Sequence, residues 1–129
     1  MKKIRLLAVL AMLSVFTLAA AGWAAEDPTA FVKRYQAALK SATSLDALAP
    51  FYSASMMEMT RGLKQKIADI RNQQSQLNVV KVTRKGNKVE VALKGLSVDK
   101  KAKYEATWTL EEQGGSWVID ETSAFGEPL

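Results

Sequence analysis

Three tyrosines (Tyr35, Tyr52 and Tyr104), 13 carboxylates and 18 lysines and arginines supply the acid–base chemistry of this 129-residue chain, which has no histidine and no cysteine. That composition removes the side chain that titrates near neutral pH, every thiol or imidazole nucleophile, and nearly all zinc, copper and haem ligation. Calcium ligation has no better basis. No Asp-x-Asp-x-Asp-Gly loop occurs, and Glu111-Glu112 beside Gly114-Gly115 suits a hairpin tip. The sequence therefore implies no cofactor. Its most informative stretch is YEATWTLEEQGGSWVID, residues 104–120, which carries two of the three tryptophans on either side of Gly-Gly. With Phe31, Tyr35, Met56 and Met59, these rings should converge between helix and sheet. A packed core is the ordinary outcome of that pattern. The sharper reading is an apolar pocket lined by Tyr35, Met57, Trp108 and Trp117, whose phenol and indole groups would orient a small ligand.

The lysines invite a different reading. Lys81, Arg84, Lys85 and Lys88, with Lys100, Lys101 and Lys103, resemble a basic patch, yet no aromatic residues interleave with them for base stacking. Cations at hairpin ends also keep sheet edges from pairing with other chains. The expectation is a solvated edge and no nucleic-acid partner.

The elements that must hold these groups begin after a leader. MKKIRLLAVLAMLSVFTLAAAGWA has a basic start, an apolar run and small residues at its end, the pattern of a secretory signal peptide cut after Ala24. The alternative is an uncleaved anchor, because the apolar run is barely long enough to span a bilayer. Cleavage would leave 105 residues, one domain's worth. Lys2, Lys3 and Arg5 would leave with the leader, lowering the net charge from +5 to +2 and weakening any case for an anionic partner. The expected location is the periplasm or the exterior, without stable membrane insertion after cleavage. With no disulfides, buried apolar surface must hold the domain together.

Asp27-Pro28 predicts a helix start, and Phe31, Tyr35, Ala38, Leu39 and Ala42 form its apolar stripe. Ser44 predicts a short second helix ending near Pro50. Met56, Met59, Leu63, Ile67 and Ile70 predict one long third helix over 53–74, with Gly62 as its weak point. From Val80 the period becomes two. Gly86-Asn87 suits a two-residue turn placing Val80 opposite Leu93 and Val82 opposite Val91, and Gly95 suits a bulge. For the second hairpin, a four-residue loop over 112–115 would pair Leu110 with Trp117 and Trp108 with Ile119. Residues 122–129 show no periodicity and read as a loose tail. The sum is a single α+β domain over 25–121, helices packed on a four-stranded antiparallel sheet.

DPTAFVKRYQAALKSATSLDALAPFYSASM resembles the opening helices of the nuclear transport factor 2-like superfamily, the cystatin-like cone fold, in its small secreted bacterial branch. YEATWTLEEQGGSWVID is similar to that fold's last two strands. The resemblance implies a curved sheet wrapped around the helices with a cavity at the wide end. Among such relatives, ketosteroid-isomerase-like enzymes pair a carboxylate base with a tyrosine donor. Here the pair would be Asp120 or Asp69 with Tyr35, Tyr52 or Tyr104. In the register above Asp120 points away from the pocket and Asp69 lies on a polar helix face, so the sequence favours a non-catalytic domain. It would bind a small apolar molecule or an envelope protein. Two alternatives stand beside it: a small isomerase or hydrolase, and an accessory domain that forms a homodimer through Thr107, Thr109 and Val118 on the outer sheet face.

Overall fold

The computed structural model describes residues 26–129, so the leader expected over 1–24 lies outside the described residues. Among the described residues no helix is long and apolar enough to cross a membrane.

Helix α1 (Pro28–Ser41) starts as expected: the Asp27 carboxylate accepts the Ala30 N–H at 3.2 Å, and Pro28 occupies the first turn. It buries Phe31, Val32, Tyr35 and Leu39 completely or nearly so. The Ser44–Pro50 region becomes a 3₁₀ helix (Leu45–Phe51) that buries Leu48 and Phe51. Helix α2 (Ala54–Gly62) is capped by Ser53, whose Oγ accepts the Met56 N–H at 3.1 Å.

The expected long helix over 53–74 is two helices. After α2 the chain turns at Lys64, which has φ 55, and α3 (Ile67–Gln74) starts anew. Glycine lowers helix stability there, and a Cβ at Gly62 would meet nothing within 4 Å, so no packing offsets its flexibility. The predicted apolar stripe consequently splits. Met56 and Ile70 are buried, whereas Met59 and Leu63 are 45% and 65% exposed.

Strands β1 (Asn78–Lys85), β2 (Lys88–Leu96), β3 (Ala102–Gln113) and β4 (Ser116–Pro128) form one antiparallel sheet in the order β1-β2-β3-β4. The fold is thus the expected α+β arrangement of helices against a four-stranded antiparallel sheet. Gly86, at φ 65, makes the two-residue turn, and Val82 pairs with Val91 as the pattern required. A bulge between Val79 and Lys81 puts Val79, not Val80, opposite Leu93 and leaves Val80 exposed. No bulge occurs at Gly95. That glycine pairs with Tyr104, and it admits the end of the α3–β1 connection: an added Cβ would lie 2.9 Å from the Gln76 carbonyl oxygen.

The second hairpin has the tighter loop. Gly114 and Gly115 both take positive φ, so Gln113 pairs with Ser116, Glu112 with Trp117 and Leu110 with Ile119. The four-residue loop is therefore wrong by a shift of two, which preserves which face each side chain takes. Trp108, Leu110, Trp117 and Ile119 are all buried in the helix-facing core. Val118, on the other face, is also largely buried. A one-residue bulge at Asp120 then brings Trp108 opposite Thr122. Residues 122–128 are not a loose tail; they pair with β3 as far as Ala102↔Pro128. Their alternation is hard to see in sequence because the core-side positions, Thr122, Ala124 and Gly126, are small. Gly126 must be: a Cβ there would approach the Tyr104 ring to 2.4 Å.

Candidate functional site

Helices α1, α2 and α3 meet the sheet around two tyrosines. Tyr35, on the buried face of α1, packs edge-on against Trp108 of β3, with centroids 5.5 Å apart and planes at 88°. Its hydroxyl lies 2.9 Å from that of Tyr52 and 2.6 Å from Gln74 Oε1, at the end of α3. The amide oxygen can only accept, so Tyr35 donates its one proton to Gln74 and Tyr52 donates to Tyr35. Burial is the leading reason that the Tyr35 hydroxyl titrates well above the ordinary phenol range, and burial likewise raises Tyr52.

The surrounding backbone is fixed by side chains that reach between helices. Gln36 Nε2 donates to the carbonyls of Gln74 and Leu77, each at 2.9 Å. Arg71 donates to the carbonyls of Leu39 and Ala42, tying α3 to the end of α1. Tyr52 forms a parallel bridge with Ile119, and the Ser53 N–H donates to the Ile119 carbonyl at 3.0 Å, docking the start of α2 on the edge of β4.

Beside this core is a cavity of about 250 Å³. Met56, Met59, Leu63, Leu77, Tyr104 and Trp108 form its apolar wall, and Tyr52, Thr60, Gln65, Gln73 and Gln74 its polar wall. Ala106 of β3 and Thr122, Ser123 and Ala124 of β4 complete it. No charged side chain lines it among the described residues. Its volume lies just below the ~300–1,000 Å³ usual for drug-sized ligands.

The four residues expected to line a pocket are divided by the fold. Trp108 reaches the cavity wall. Tyr35 stands behind that wall, fully buried, and touches it through Tyr52 and Gln74. Met57 is buried in the core, and the lining methionines are Met56 and Met59. Trp117 is spent elsewhere: its indole N–H donates to the Glu26 carbonyl at 2.7 Å. The glutamines of α3 were the part missed. Their signal was Gln73-Gln74 at the end of the run read as one helix over 53–74, one turn beyond Ile70.

The tyrosine–carboxylate pairs do not form. Asp120 accepts from Ser55 Oγ and Lys88 Nζ, both at 3.3 Å, and its hydrogen bond with Ser53 is the main cause of a pKa below the usual carboxylate range. Asp69 is exposed on α3. Elsewhere, Lys85 lies 3.2 Å from Glu90 and Lys103 lies 4.0 Å from Glu127, surface pairs of small energetic weight that distribute the basic charge among acids.

No family model matches the chain, and no curated protein matches it. Among solved structures it is similar to a de novo designed β-sheet protein with a cystatin fold, at a TM-score of 0.39 and 15% identity, over 79% of this chain and 99% of that one.

Proposed function

We propose that this protein is an exported, non-catalytic domain of the cell envelope that holds a small neutral molecule in the cavity between α2, α3 and β4. The observation that carries the reading is the lining itself: methionine, leucine and tryptophan on one side, amides and hydroxyls on the other, and no charge among the described residues. Such a site favours an apolar body with one or two polar groups, and disfavours ions, which would lose hydration without gaining a counter-charge. The exposed Met59 and Leu63 at its rim suit a mouth that adapts to its occupant. The basic leader with its apolar run supports export. The element order supports kinship with the nuclear transport factor 2-like superfamily. A catalytic reading has less support, since the Tyr35 hydroxyl is committed to Tyr52 and Gln74, and Asp120 to serines and a lysine.

The test is a panel of small aromatic and aliphatic amides, each paired with its carboxylate twin, followed by thermal shift. Neutral members should raise the melting temperature in a dose-dependent way and their ionised twins should not. Equal shifts for both, or preference for the carboxylates, would refute the reading.

A further inference from the structure

The sheet has two edges, and the chain treats them differently. Edge β1 carries a bulge at Val80 and the cations Lys81, Arg84 and Lys85, devices that discourage pairing with another strand. Edge β4 is covered at Ile119, where the Ser53 N–H donates to its carbonyl, so the Ile119 backbone groups point away from β3. At the far end the Leu129 N–H donates to the Lys101 carbonyl at 3.0 Å, so position 129 points toward β3. Backbone direction alternates along a strand, and the bulge at Asp120 reconciles these two anchors. Counting back from Leu129, the N–H and C=O groups of Thr122, Ala124 and Gly126 point outward, beyond the sheet. Among the described residues no strand or side chain hydrogen-bonds to them there.

Two of these open ladder positions, Thr122 and Ala124, line the cavity, as does Ser123 between them. We propose that the free edge of β4 at Thr122, Ala124 and Gly126 takes an extended peptide of a partner protein by strand addition, with one apolar side chain of that peptide entering the cavity beside Trp108. The edge already accepts such pairing, since Tyr52 and Ser53 make one step of it before the Ser53 cap turns the chain into α2. An added strand would continue that ladder. Its backbone would satisfy the three outward positions, its core-side residues would face Met59 and Leu63, and an outer-face residue would lie beside Phe125, which is 66% exposed. A second copy pairing β4 to β4 about a two-fold axis fits less well. It would offer Thr122, Ala124 and Gly126 to the core side, all too small to fill about 250 Å³. The uncharged lining favours a peptide whose alternate residues are large and apolar.

This inference shares the cavity with the function proposed above but rests on the strand edge, so the two can fail separately. A displayed library of random seven-residue peptides is selected on the protein and counter-selected on Ala124→Pro. That substitution removes one outward N–H at an edge position where proline is tolerated, and breaks no bond to β3. Enriched peptides should carry large apolar residues at alternate positions, slow amide exchange at residues 122, 124 and 126, and bind Ala124→Pro at least tenfold more weakly. On the unsubstituted protein, N-methylating the peptide amides that face β4 should cost at least tenfold, and N-methylating the solvent-facing set should not. This arm stands even if the proline variant is unstable. No enrichment, equal loss from both methylation patterns, or protection along β1 instead would overturn the proposal. So would protection of 122, 124 and 126 that appears with protein concentration alone, which would make the occupant a second copy. Binding of neutral small molecules persisting in Ala124→Pro would leave the cavity reading intact.

Discussion

Replacing Tyr35 by phenylalanine removes one oxygen atom and tests the direction of the hydroxyl chain. Tyr35 donates to Gln74 Oε1 at 2.6 Å and receives from Tyr52 at 2.9 Å. Its loss leaves the buried Tyr52 hydroxyl with no acceptor in the chain and Gln74 Oε1 with no donor. Each orphaned neutral group costs about 1–3 kcal/mol when water cannot reach it. Tyr52 and Gln74 both border the cavity, where water can partly replace the lost bonds, so each falls at the low end of that range and the expected loss is about 2 kcal/mol for the two together. Tyr52→Phe removes only the terminal donor. Tyr35 still donates to Gln74 and merely loses a partner for its lone pair, so about 1 kcal/mol is expected. For a domain of this size 2 kcal/mol lowers the melting temperature by about 8–16 °C. Urea unfolding of both single variants and the double variant gives the ranking and the coupling energy. The reasoning requires Tyr35→Phe to be the costlier change and the pair to be non-additive. Equal or reversed costs, or strict additivity, would refute it.

Four further outcomes follow from the packing and the charges. Gly126→Ala drives a methyl group into the Tyr104 ring, whose nearest atom would be 2.4 Å away, and should cost about 1–3 kcal/mol in urea unfolding. Gly62→Ala adds a Cβ in open space at a helical position and should stabilise the protein by about 0.5–1 kcal/mol, with more helix by circular dichroism. Because burial raises both phenols, their contribution is complete below about pH 10, the unfolded value, and is lost as pH rises through the higher folded values; the urea midpoint should fall above pH 10, and less so in the Tyr35→Phe/Tyr52→Phe double variant. Asp120 has the opposite sign: its folded pKa is depressed, chiefly through Ser53, so its contribution is present above about pH 4 and lost as pH falls through the lowered value. Asp120→Asn should flatten the stability profile between pH 4 and pH 2.

What could be read in the sequence was governed by strong local signals. The Asp27-Pro28 start, the Gly86-Asn87 turn and the inward facing of Trp108 and Trp117 each follow from a residue whose geometry leaves few options. Errors arose where two local readings shared one pattern. The spacing from Met56 to Ile70 is helical whether or not the chain breaks at Gly62, and only the lack of packing there decides. Loops of two and four residues at Gly114-Gly115 keep the same facing, so the pattern could not choose between them; two consecutive positive φ values did. Pairing of 122–128 was hidden because its core-side residues are small. The cavity was half visible. Trp108 was legible by parity, but Gln65, Gln73 and Gln74 became its polar wall only because α3 restarts after Lys64, a tertiary event with no periodic signature.

The cavity is the claim on which the functional reading depends, and Ala106→Leu tests it most directly. Ala106 lies on the core side of β3, opposite Ala124, and borders the space. If about 250 Å³ is open there, three added carbons fit without strain; stability should hold or rise, and the neutral amides that shift the unsubstituted protein should no longer do so. A loss of about 1–3 kcal/mol, as expected for overpacking a filled core, or undiminished binding in the variant, would contradict the account.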